Sequence, residues 1–465
     1  MAEVLLRFVF LRLLKGSAAC ALACACLCAQ DAPSPQARPL PLAETMFPQL
    51  APLLQKAIQQ SPRAIHSNIE FLIAQENIHM ARSRQLPQVG GFLTYSYAQD
   101  RRLDRADPLN ADKLFYHFSV TQPVYHWGAL RAGTQLNQVA ARLAENNFAE
   151  VRRLLVLEVR AAYLRLVVLN ATRARAAYAL RLAVEEERLA QEQLKAGAIA
   201  PAEMLNPQTK VTQMTLDAER AEEEYRFAKL SLERLTGGEP LDEGSIPTLV
   251  PDVPYSPEQI KALAERYKVD PEHGNFRLAS VQLRLDQEKL NYQIIDKGLR
   301  PKLNLVTGVS QDEVSYTGSP ADRANTQSIY AGVNVTWNIF DGFSTSAQRR
   351  ASRLRQRQLE SERDDRRKES TETVESQMKQ IDFAARSTAL GQATLDQYNL
   401  FVKKKSEDIA FGISAPAELD GITIARDGVL IQAMMQRSDL LGRMAEFLSS
   451  IGRDPALESI LPTSP

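Results

Sequence analysis

Cysteine is nearly absent from this 465-residue chain: Cys20, Cys24, Cys26 and Cys28 share one short window near the N-terminus, and no other occurs. The body of the protein therefore offers no thiol for a disulfide framework, a thiolate zinc site, an iron–sulfur cluster or a cysteine nucleophile. Net charge is missing too. The 56 Lys and Arg balance 56 Asp and Glu, so no basic surplus advertises nucleic-acid binding. The five His (His66, His79, His117, His126, His273) show neither metal-ligand spacing nor a His-Glu-x-x-His pattern. A phosphate-binding loop, a dinucleotide glycine fingerprint and a Gly-x-Ser-x-Gly elbow are also lacking. Asp364-Asp365 lies inside the charge run Glu362–Glu369 and reads as a solvated helix face. Nothing here asks for catalysis, a metal or a cofactor, and the chain reads as a non-enzyme. Gly and Pro, 21 and 24 residues, are too few for a disordered or fibrous chain.

Long uninterrupted apolar runs are missing as well. The most apolar stretch, Leu154–Leu169, is broken by Glu158, Arg160 and Arg165, which rules against a spanning helix. What the N-terminus does carry is an export leader. Arg7, Arg12 and Lys15 precede the small, apolar run Gly16–Ala29, and Gln30-Asp31-Ala32-Pro33 turns polar. This matches a secretory signal peptide over 1–29, with a small residue before cleavage at Ala25 or Ala29. A lipoprotein reading would instead acylate Cys24 after Ala21-Leu22-Ala23, although the −3 residue is Ala rather than Leu. Both readings export the protein. An exported chain without a spanning helix is periplasmic, secreted, or held in an outer membrane by strands.

The residues Thr134–Ala196 hold no Gly and no Pro and are rich in strong helix formers. Leu136, Val139, Leu143, Val151, Leu154 and Leu155 recur at helical spacing, which predicts a helix over about 129–196 of coiled-coil length. A second such stretch covers about 343–411, and shorter helical patterns occupy Pro201–Leu235 and Pro416–Ser449. Four segments break the helical rule: about 89–97, 114–124, 303–310 and 328–340 alternate polar and apolar residues with β-branched or aromatic side chains. None of these windows contains Asp, Glu, Lys or Arg, in a chain that is 24% charged. Their length approaches that of a tilted membrane-crossing strand. The polar segments between them, Asp100–Lys113 and Gln311–Gln327, read as the wet loops of two hairpins.

The chain also repeats itself. Leu86-Pro87 and Arg300-Pro301 stand before the first and third strands. Gln122-Pro123-Val124-Tyr125-His126-Trp127-Gly128 matches Trp337-Asn338-Ile339-Phe340-Asp341-Gly342-Phe343 at an offset of 215. Gly197 with Ala200-Pro201-Ala202-Glu203 matches Gly412 with Ala415-Pro416-Ala417-Glu418 at the same offset. Landmarks that keep register this closely indicate a tandem duplication. The repeats are placed at 30–236 and 258–453, with a Pro-rich linker at 237–257 and a tail at 454–465.

Helix, strand, loop, strand, very long helix, tight turn, helix, given twice, resembles the TolC-like outer-membrane efflux protein family. The likeness covers roughly Leu42 to Arg453. It implies a mainly α chain with a membrane β-barrel part, a homotrimer whose four strands per chain build a 12-stranded barrel, and an α-helical coiled-coil tunnel through the periplasm. It further implies the exit duct of a tripartite efflux or type I secretion system. Its partners would be a periplasmic adaptor, an inner-membrane transporter and outer-membrane lipid, in a Gram-negative cell. Independently, four strands cannot close a barrel, and open edges in lipid would strand backbone polar groups. The main rival is a periplasmic coiled-coil adaptor or scaffold with a soluble β-domain; a secreted enzyme comes third.

Site expectations follow from both lines. A Gly ends each long helix at φ > 0, and Pro201 or Pro416 opens the next where its missing N–H costs nothing. The resemblance places these turns, Gly197 with Pro201 and Gly412 with Pro416, at the adaptor-facing periplasmic tip. It makes Glu418 a constriction residue, with Glu203 its repeat mate. The neighbouring family position is Gly421 here, with Asp420 displaced by one. A helix-start Glu favoured by the helix dipole is the simpler account of Glu418. Tyr125, Trp127, Trp337 and Phe340, near strand ends, are expected in an interfacial aromatic girdle.

Overall fold

The computed structural model describes residues 40–101, 109–269, 275–316, 323–411, 413 and 415–458. Three helices, α1 (Ala43–Met46), α2 (Leu50–Gln60) and α3 (Pro62–Ser83), lead into the hairpin β1 (Gln88–Asp100) and β2 (Leu109–Tyr125). The chain enters α4 (Ala129–Lys195) and returns through a 3-10 turn, Pro201–Met204, into α5 (Leu205–Leu235). The second half repeats the order with α6 (Pro257–Val269), α7 (Phe276–Asp296), β3 (Lys302–Tyr316), β4 (Ala324–Thr336), α8 (Ser344–Ala410) and α9 (Pro416–Ser450). A last turn of helix, α10, covers Pro455–Glu458.

Both α4 and α8 contain 67 residues, which is about 100 Å of helix at 1.5 Å per residue. A helix so long is held by its neighbours rather than by its own propensity. α4 packs along α3, α5, α7 and α9, while α8 packs along α7 and α9. The core lies around the middle of α4, where Leu155, Val156, Val159, Leu166 and Val167 are fully buried against Leu50 and Leu54 of α2 and Met434 of α9. This is the stretch that was too charged to span a bilayer, and its charges explain why. Arg160 is buried here, donating to Asp454 at 2.8 Å and to Glu44 at 3.0 Å. One guanidinium thereby joins α4 to the first and last turns of the described chain. Among the described residues, no helix is long and apolar enough to cross a membrane.

The strands pair in chain order, β1-β2-β3-β4, all antiparallel. The seam between the duplicated halves is therefore β2 against β3, with Phe118 opposite Val309. β1 and β4 are edges, each with one side lacking a strand partner. The strands differ from their expected windows in two ways. Three run longer, β1 to Asp100, β2 through Asp112 and Lys113, and β3 through Asp312 and Glu313, because a backbone ladder continues past the point where side chains become charged. The window expected at 328–340 instead runs Ala324–Thr336. Its last four residues leave the ladder, which ends at the Lys302–Thr336 pair where Pro301 has no N–H to offer, and Trp337 donates its indole N–H to the Leu299 carbonyl at 3.0 Å.

Candidate functional site

Register sorts the sheet into two faces, since paired residues share a side. One side presents Leu93, Phe118, Leu305, Val309, Ile329 and Val333; the other presents Thr94, Ser119, Thr121, Asn304, Ser328 and Asn334. Among the described residues nothing covers the apolar side: Ile329 is 82% exposed, and every residue of β4 is exposed. On this side the Phe118 ring lies across Gly91, where a Cβ would come within 2.3 Å of it. A sheet with one apolar face bare and two open edges is incomplete in water.

Each sheet-to-helix turn holds two consecutive residues in the left-handed region. These are Trp127 (φ 56°) and Gly128 (φ 81°) before α4, and Gly342 (φ 62°) and Phe343 (φ 69°) before α8. The glycine has changed places between the repeats, so each turn strains one aromatic residue. Trp127 is held there by its indole N–H, which donates to the Pro301 carbonyl at 2.7 Å, and by the Arg300 guanidinium 5.0 Å from its ring centroid. The four aromatics expected at an interface lie at the two sheet-to-helix connections, where the Trp127 and Trp337 indoles bond the carbonyls of Pro301 and Leu299. Tyr125 packs edge-on to Trp127 at 4.9 Å and Phe340 edge-on to Phe343 at 5.4 Å. Asp341 anchors the start of α8, accepting from the Thr345 hydroxyl and from the Thr345 N–H at 2.8 Å. Those bonds, the hydroxyl first, hold its carboxyl below the ordinary aspartate value.

At the far ends of the long helices, Gly197 takes φ 73°, and the Ala198 and Gly197 N–H groups return to the carbonyls of Gln193 and Leu194. That paired pattern is a Schellman cap, and it frees the chain to reverse into Pro201. In the second repeat Ile413 N–H bonds the Asp408 carbonyl at 2.8 Å, and Pro416 opens α9. Gly412 lies outside the described residues, as does Cys24. Phe411 (81% exposed) and Ile413 leave apolar side chains bare at this turn.

The three acidic candidates have different surroundings. Glu203 is exposed in its 3-10 turn. Glu418 is ion-paired to Lys405 of α8. Asp420 accepts a hydrogen bond from the Tyr178 hydroxyl of α4 at 3.2 Å. Burial, and next the Asp420 carboxylate, push that hydroxyl above its ordinary pKa. One turn away Arg175 donates to the Ile424 carbonyl at 3.2 Å, its guanidinium lying across Gly428. Tyr178 and Arg175 were not among the sequence candidates. They share a face of α4 at i, i+3, but only the α4–α9 packing reveals what that face meets. Among the described residues, no cluster of three or more His, Cys, Asp or Glu could hold a metal.

Against known proteins, the sequence matches the outer membrane efflux protein family over residues 53–238 and 272–452. It is 23% identical over 319 residues to the outer membrane protein TolC of Salmonella enteritidis, covering 64% of this chain and 60% of that one. The aligned region thus spans about three fifths of that relative's length. Two solved structures share the fold. The CmeC outer membrane channel of Campylobacter jejuni has TM-score 0.66 at 14% identity, over 88% of either chain. The open state of the MtrE outer membrane channel of Neisseria gonorrhoeae has TM-score 0.63 at 13% identity, over 88% of this chain and 90% of that one.

Proposed function

Because the chain belongs to the outer membrane efflux protein family, we propose that it is a passive exit duct, carrying substrates from an inner-membrane pump across the periplasm and outer membrane. The observation that carries this is the sheet: apolar on one side, polar on the other, open at both edges, and continued by helices of about 100 Å. Lipid covers the apolar face. Three chains, each adding four strands, close a barrel of 12 with no free edge, and the polar face lines its lumen. The helices extend into the periplasm, where the adaptor meets the Gly197 and Gly412 turns and finds Phe411 and Ile413 exposed. The aromatics Tyr125, Trp127, Trp337 and Phe340 mark the lower membrane border. No step of chemistry is assigned to the chain; the pump supplies the energy. A soluble scaffold would leave the apolar face in water, at a cost no contact of this chain offsets.

The gate belongs at the helical tip. Glu418 and Asp420 from three chains converge near the axis, each already committed within its own chain, to Lys405 and Tyr178. Those two contacts tie α9 to α8 and to α4, so loosening them releases the tip. The test is single-channel recording in planar bilayers. Tyr178→Phe with Lys405→Ala should raise the open fraction, and Glu418→Ala should change divalent-cation block from the helical side, while Glu362→Ala should not. If Glu418→Ala and Asp420→Asn match the parent in conductance and block, the gate lies elsewhere and Glu418 only starts a helix.

A further inference from the structure

The polar face of the sheet is interrupted by one band of rings. Phe92 of β1 pairs in register with His117 of β2, whose neighbour on the same face is Phe115. Ring centroids are 5.3 Å apart for Phe92 and Phe115 and 5.6 Å for Phe92 and His117. Tyr330 comes from β4, on the other side of β3, yet its ring stacks on His117 at 6.0 Å and 18°. Its hydroxyl meets His117 Nε2 at 2.8 Å. That reach depends on Gly308 of β3, which pairs with Tyr330: a Cβ there would lie 2.6 Å from the tyrosine hydroxyl. β3 adds a carboxylate to the band, since Asp312 pairs in register with Phe115. The rings are not packing a core, for Phe92 is 55% exposed, and the face around them is mostly hydroxyls and amides, with Val306 and Val314 of β3 and Lys113 of β2 also on it.

We propose that this band is a solute-binding collar inside the barrel, selective for planar aromatic cations. The inference rests on the exit-duct reading, which turns this face to the lumen. Flat rings offer stacking surfaces whose quadrupoles favour a cation; Asp312 adds a carboxylate beside Phe115, and Lys113 stands one pair further along the same face, so the rings carry the preference and Asp312 assists it. The His117–Tyr330 hydrogen bond holds two of the rings in place, so little rotamer freedom is lost when a solute stacks. Three chains repeat the band around the barrel, which places several such surfaces at one height in the lumen.

The test uses the full-length protein in planar bilayers, with ethidium as the planar aromatic cation and tetraethylammonium as the non-aromatic one, each added from the hairpin-loop side. Conductance without additive tests the duct separately: a protein that inserts and carries no current refutes that reading before the collar is at issue. In a conducting protein, ethidium should cause concentration-dependent block that tetraethylammonium does not. Phe92→Ala with Phe115→Ala should weaken that block by about tenfold, the scale of a lost cation–ring contact. Phe92→Tyr should keep it, and so should Asn334→Ala on the same face. Asp312→Asn, which preserves shape and strand pairing, should weaken ethidium block while leaving conductance near the parent value. Equal ethidium block in the parent, the double alanine variant and Asp312→Asn would overturn the collar, as would equal block by tetraethylammonium.

Discussion

Arg160 shows how a single charge can order distant parts of a chain. Its guanidinium lies among the apolar side chains of mid-α4 and is answered by Glu44 near one end of the sequence and Asp454 near the other, the latter with no exposed side chain. Removing the cation leaves the buried Asp454 carboxylate without a counter-charge, its remaining bond the Ala456 N–H at 3.1 Å, so Arg160→Met should cost about 3–5 kcal/mol in thermal or denaturant unfolding in detergent. Arg63→Ala, which breaks an exposed pair with Glu158, should cost at most about 1 kcal/mol. Equal losses would show that the buried cluster does not hold α1 and the segment around Asp454 to α4. At this scale the sequence carried half of each story. It presented Arg160 as an interruption in an apolar run, Glu418 as a first-turn acid and Asp420 as an acid one place from the expected position, since local spacing is visible along a chain. Their partners, Asp454, Lys405 and Tyr178, were not visible, because they arrive on other elements after the helices have packed.

Elements were more legible, and for a physical reason. A stretch of more than sixty residues without Gly or Pro has few alternatives to helix, and charge-free alternation has few alternatives to a strand bathed by two different media. Strand limits were less so, because the ladder ends where hydrogen bonding stops and not where charge begins. The start of α8 illustrates what an element boundary contributes. Asp341 has a lower pKa folded than unfolded, so its contribution is complete above the unfolded value of 3.8 and is lost as pH falls through the lower folded value. Hydrogen-exchange protection of Thr345 should decline over that acid range in the parent and be low and flat with pH in Asp341→Ala. For the sheet, Val333→Arg on the apolar face should cost roughly 2–4 kcal/mol of stability in bilayers, against little for Asn334→Arg on the polar face. Equal costs from urea titration in lipid vesicles would mean the two faces had been assigned wrongly.

For the whole molecule, the open edges at β1 and β4 set the assembly. Mass measurement in mild detergent should give three chains, and circular dichroism should be dominated by helix; a monodisperse monomer would contradict the closed barrel. The duplication made the halves recognisable in the sequence, but not their junction. Tandem repeats could have paired in more than one order, and only the coordinates show β2 against β3, with the Tyr116 hydroxyl bonded to Gln311 at 2.6 Å.

That junction has a consequence for how the protein is made. Either hairpin can zip from its own loop, which is a fast local event. The seam cannot: Tyr116 and Gln311 are 195 residues apart, and α4, α5, a Pro-rich linker, α6 and α7 must be arranged before they meet. A chain whose seam is still open would present two separate ribbons with apolar faces and unpaired edges, the kind of surface that recruits other chains. Biogenesis therefore has a vulnerable interval between export and insertion, whose length is set by closure of the seam rather than by formation of any one strand. Slowing the α4–α5 turn should lengthen the wait more than any change within a hairpin.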